Sequence, residues 1–118
     1  MTHPNAELLR GTLDMLVLQI VSEGPRHGYS IGQRIQELTQ DVLSIEQGSL
    51  YPALYRLEKA GLLRSRWGRN PESNRRARIY ELTATGRKRL GRDVDGWSAF
   101  VRAISQVISP RVPTEGAE

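Results

Sequence analysis

The chain has 118 residues, 38% of them apolar and 25% charged, which is enough for one modest core and one domain. It holds no cysteine, so disulfides, thiolate nucleophiles and thiolate zinc sites are excluded. The net charge of +4 hides an asymmetry: residues 64–92 carry ten Lys or Arg against Glu72 and Glu81, giving +8, while the remainder carries seven basic and eleven acidic residues, giving −4. Such a basic block is the footprint of a polyanion binder or of a solvated arginine-rich face, and charge alone does not separate DNA from RNA or an anionic membrane.

The polar start, residues 1–7, lacks the basic and apolar regions of a secretory signal and is expected to be flexible. A first helix is expected from about Thr12 to Glu23, ended by Gly24-Pro25. Leu13, Leu16, Val17, Ile20 and Val21 follow helical spacing, and Met15 and Leu18 add a second apolar face. A helix apolar nearly all round is buried on more than one side, here against its own core and against a partner. Its apolar stretch is too short to span a bilayer. No membrane partner is therefore expected, and the chain reads as cytoplasmic.

A second helix is expected over Tyr29–Thr39, with Ile31, Ile35 and Leu38 inward. The third starts at Gly48-Ser49, with Ser49 as N-cap and Pro52 in the first turn, where its missing N–H costs nothing. Leu50, Leu54 and Leu57 point inward, and Gly61 follows the helix end. Strands at 63–67 and 77–82 flank a loop rich in Gly, Asn, Pro and Arg, forming a hairpin with a basic tip in which Trp67 is expected to be core. A last helix runs from near Thr83 to about Ser109, and residues 110–118, with Pro110 and Pro113, read as a disordered tail.

In the last helix Leu90, Val94, Trp97, Val101, Ile104 and Ile108 recur at spacings of 4 and 3, an a/d seam. Burying each is worth about 1.5–3 kcal/mol. Two chains contribute, against an association cost of about 4–15 kcal/mol. A homodimer is therefore expected, joined by Leu13, Val17 and Ile20 of the first helix together with the seam. Three helices, a hairpin and a long helix make the fold class mainly α: a winged helix-turn-helix over residues 8–83 and a dimerisation helix over 84–109. In that layout the third helix enters a major groove and the hairpin tip touches the DNA backbone or an adjacent minor groove. Ser49, Pro52, Ala53, Arg56 and Lys59 then lie on or near the outer face. The hydroxyls of Tyr51 and Tyr55 are within reach of phosphates, and the wing adds Asn74, Arg75 and Arg76.

The segment Ser49-Leu50-Tyr51-Pro52-Ala53-Leu54-Tyr55-Arg56-Leu57-Glu58-Lys59-Ala60-Gly61-Leu62-Leu63 resembles the recognition helix of PadR-type regulators. Gly24-Pro25-Arg26-His27-Gly28-Tyr29-Ser30-Ile31 and Tyr80-Glu81-Leu82-Thr83-Ala84-Thr85-Gly86 match two further motifs of that family, so the resemblance covers about residues 8–108. It implies a homodimeric repressor on a pseudo-palindromic double-stranded DNA operator, released in many members by a small planar or phenolic compound. Tyr29 matches a tyrosine near the phosphate backbone in the family, or it packs in the core. Trp97 matches a tryptophan that stacks flat ligands in a multidrug-sensing branch, or it fills the dimer core; Asp93 and Asp95 nearby would favour cations. His27 is read as a cap or packing residue and Glu58 as an ion-pair partner. With His3 and His27 the only imidazoles, no catalytic residue, metal or cofactor is expected. The competing readings are a MarR-like dimeric regulator and a winged-fold interaction adaptor.

Overall fold

The computed structural model describes residues 5–109, with side chains from Thr12 onward. The expected tail, His3 and residues 1–4 lie outside them; Asn5–Glu7, expected to be flexible, open the first helix. The elements are α1 (Asn5–Val21), β1 (Arg26–His27), α2 (Gly28–Leu38), α3 (Gln47–Lys59), β2 (Leu63–Arg69), β3 (Arg76–Leu82) and α4 (Ala84–Ile108). The three strands form one antiparallel sheet in the order β1-β3-β2. This is a winged helix-turn-helix with a long C-terminal helix.

Helix α1 runs through the core. Leu13, Val17, Leu18, Ile20 and Val21 are all buried, against Ile31 and Ile35 of α2, Leu50, Ala53, Leu54 and Leu57 of α3, Leu63 and Tyr80 of the sheet, and Leu90 of α4. Leu13, Val17, Ile20 and Leu90 were expected at a dimer interface. They are enclosed by their own chain instead, because α1 packs against α2, α3, α4 and β3 at once. Val17 has no exposed surface left for a partner. Leu38, expected inward, is exposed at the end of α2, where Gln40 and Asp41 take left-handed backbone conformations (φ 52° and 67°) and turn the chain out of the helix.

Glu46, not Ser49, is the N-cap of α3, and it caps without its side chain. The helix therefore begins earlier than the Gly-Ser pair suggests. Pro52 lies inside it, beyond the first turn, and without an N–H it cannot bond the carbonyl of Gly48, an exposed residue. The far end closes as expected. Gly61 takes φ 79°, its N–H bonds Glu58 O at 3.0 Å, and Leu62 N–H bonds Leu57 O at 2.9 Å, a Schellman closure. Thr83 then joins two elements: its hydroxyl donates to Gly61 O at 2.7 Å and accepts from Gly86 N–H at 2.9 Å, capping α4. A Cβ on Gly86 would stand 2.1 Å from Leu62 O, so only glycine lets α4 dock this closely on the turn after α3.

Candidate nucleic-acid interface

The outward face of α3 carries Ser49, Tyr51, Pro52, Tyr55, Arg56 and Lys59, all exposed. Ala53, expected there as a small residue allowing close approach, is fully buried. It shares the i, i+3, i+4, i+7 face with Leu50, Leu54 and Leu57, so helical geometry assigns it to the core. Arg56 forms an ion pair with Asp14 of α1 (2.9 Å) in which both side chains are well exposed. Lys59 Nζ lies 5.6 Å from the centre of the Tyr55 ring.

Tyr51 leans on the start of α2. A Cβ at Gly28 would meet its Cε1 at 2.8 Å, so the missing side chain makes room for the ring. Tyr29 is 48% exposed, which removes the core-packing alternative. His27 is the buried N-cap of α2: its Nδ1 accepts from Ser30 N–H at 3.4 Å, and its carbonyl accepts from Ser30 Oγ at 3.0 Å.

The hairpin tip is built by asparagines. Asn70 N–H bonds Arg75 O at 2.8 Å, and Asn70 Oδ1 accepts from Glu72 N–H at 2.9 Å. Asn74 sits at φ 58°, and its carbonyl accepts from Arg69 Nη1 at 3.0 Å. Asn74 thus shapes the turn that holds Arg75 and Arg76 in solvent. Trp67, expected to be core, is 53% exposed. Trp67 meets two arginines instead: Arg76 Cζ lies 4.3 Å and Arg78 Cζ 5.1 Å from its ring centre.

Glu58, as expected, works between elements. Its Oε2 accepts from Ser65 Oγ at 2.6 Å and lies 3.5 Å from Arg78 Nη2. Tyr80 is buried beside this group. Burial, helped by the negative charge of Glu58, raises its phenol above the ordinary value near 10, while Arg78 pulls the other way.

Charge within the basic block is sorted. Arg64 pairs with Glu81, Arg78 with Glu58 and Arg89 with Asp93. Among the described residues Arg66, Arg69, Arg75 and Arg76 of the wing join no ion pair, nor do Arg87, Lys88 and Arg92 of α4.

The second half of α4 is a different surface. Val94 is half-buried against the core, but every residue from Ala99 to Ser109 is exposed, Val101, Ile104 and Ile108 among them. Trp97 is exposed and stands beside Phe100, ring centres 6.1 Å apart and tilted by 44°. Phe100 and Val107 extend the apolar stripe beyond the a/d seam. The one signal for Phe100 was its place three residues after Trp97. The Arg56–Asp14 pair and the Trp67 stack had no signal in the sequence. Among the described residues no helix is long and apolar enough to cross a membrane, and no group of three or more His, Asp and Glu is placed to hold a metal ion.

Residues 17–92 match the Transcriptional regulator PadR-like family. The chain is 32% identical over 98 residues to the transcriptional regulator Rv3488 of Mycobacterium tuberculosis, spanning 83% of this chain and 87% of that protein. Among solved structures, a transcriptional regulator from Clostridium thermocellum superposes with a TM-score of 0.79 at 28% identity, covering 88% of this chain and 97% of the other. A PadR family transcriptional regulator from Eggerthella lenta gives 0.72 at 30% identity, covering 89% and 88%.

Proposed function

The chain belongs to the PadR-like family of transcriptional regulators, and from that premise we propose that it is a cytoplasmic repressor that grips a pseudo-palindromic operator as a homodimer. In this reading residues 8–83 are the reading head. Ser49, Tyr51, Pro52, Arg56 and Lys59 of α3 face the major groove, Tyr29 approaches a phosphate, and Arg75 and Arg76 engage the backbone from the wing. Asn74 contributes by fixing the turn, and Ala53 supports the helix from within.

The observation that carries the reading is the cluster of cations on the wing: among the described residues Arg66, Arg69, Arg75 and Arg76 join no ion pair. Unmatched cations gain most from phosphate, and each phosphate neutralised contributes about 0.9 to the slope of log K against log salt. Arg75→Ala/Arg76→Ala, measured by fluorescence anisotropy on duplex DNA, removes four cations from the two wings of the dimer and is expected to lower that slope by about 3.6 while the protein stays folded. An unchanged slope removes the wing from the interface.

The exposed stripe of α4, from Trp97 to Ile108, is where the second copy sits in this reading. The pair is completed by Val94 and places two reading heads about 34 Å apart, one turn of DNA. The Trp97–Phe100 pair supports an effector role, because tilted aromatic rings at such an interface receive flat aromatic molecules. Such a molecule releases DNA only by binding one arrangement of the two heads better than the other. No cofactor enters this scheme.

A further inference from the structure

We propose that Trp67 is a positioning residue for the wing: its ring holds the Arg76 guanidinium flat, and Glu58 anchors that stack to the recognition helix through Ser65 and Arg78. This inference rests on the DNA-binding reading above.

A tryptophan left 53% exposed on a hairpin is out of place unless its ring has a use. In the register of the sheet Trp67 stands opposite Arg78, and Arg69, two residues on, stands opposite Arg76, so Arg76 is the diagonal neighbour of Trp67 on the same face. Both guanidinium carbons lie within reach of the ring. The two arginines differ in their other partners. Arg78 is held by Glu58 Oε2 at 3.5 Å and bonds Ser65 Oγ, which itself donates to Glu58. Arg76 has no carboxylate among the described residues. A line of contacts therefore runs from Glu58 on α3, through Ser65 and Arg78, to Trp67 and ends at one unmatched cation. A guanidinium lying on a ring keeps its N–H edge free for a phosphate while losing rotamers it would otherwise give up on binding. Lysine would keep the charge and lose the plane.

The experiment is a double-mutant cycle on the full chain, read as duplex affinity across a salt series. Trp67→Leu is expected to weaken binding about 2- to 10-fold and to lower the salt slope by about 1.8, one phosphate contact for each wing of the dimer. Trp67→Phe is expected to restore most of both. Trp67→Leu/Arg76→Ala is expected to bind no worse than Arg76→Ala alone, because the ring acts through that arginine. Losses that add fully, or Trp67→Leu binding with wild-type affinity and slope, overturn the proposal. Should Trp67→Leu not fold, Arg76→Lys serves in its place: a 2- to 5-fold loss is expected, roughly the worth of an exposed stack, and unchanged affinity contradicts it. A wild-type protein that binds no duplex sinks the regulator reading itself, whereas additive losses in a protein that does bind sink only the role of Trp67.

Discussion

Two stretches of apolar helix in this molecule meet opposite fates. Leu13–Val21 of α1 is wrapped by its own chain, whereas Trp97–Ile108 of α4 is left in solvent. Both show a helical apolar pattern that by itself suggests a partner surface. The difference arises from where each helix runs. Four elements crowd α1, while α4, fixed at its start by Thr83 and Gly86, leaves the core after Val94. Periodicity identifies an apolar face; only topology decides which protein covers it.

The sharpest way to break this contrast is to truncate one residue from each stretch. Leu18→Ala is expected to cost about 2–5 kcal/mol in urea unfolding, as a cavity in a packed core does. Ile104→Glu should leave the far-ultraviolet circular dichroism of a folded winged domain intact. It should also halve the mass in sedimentation and weaken operator binding by about 100-fold or more, the loss of two-headed attachment. An Ile104→Glu protein that still sediments as wild type would show that the exposed stripe of α4 is not the contact surface.

A milder test uses Gly96, where an added Cβ meets open space within the chain. Gly96→Ala should stabilise α4 by up to about 1 kcal/mol in thermal unfolding. A loss of stability would mean that a partner backbone approaches α4 at that position. The smallest effect is expected at Asp14, whose carboxylate competes with DNA for Arg56. Asp14→Asn should raise duplex affinity about 2- to 5-fold, the worth of an exposed ion pair, with little change in stability. Unchanged affinity would place Arg56 away from the DNA.

Much of the fold was legible because its signals are local. Gly61 ends α3 through its left-handed conformation, Thr83 caps α4, and alternation marks both strands of the hairpin. What escaped depends on distance in the chain. The two-residue strand β1 exists only because β3 lies beside it. Asp14 and Arg56 are 42 residues apart. Leu63 and Trp67 share one face of β2, yet only the first reaches the core. Ala53 was legible as core, for its spacing with Leu50, Leu54 and Leu57 outweighs its small size. In the candidate site the cations were visible as a block, but which of them are neutralised required the paired carboxylates to be placed.

Selection of bound duplexes from random DNA by the purified chain bears most directly on whether paired reading heads recognise DNA. The expected product is a two-fold symmetric consensus with half-site centres about 10 bp apart. Recovery of a single asymmetric site, or no enrichment at all, would contradict it.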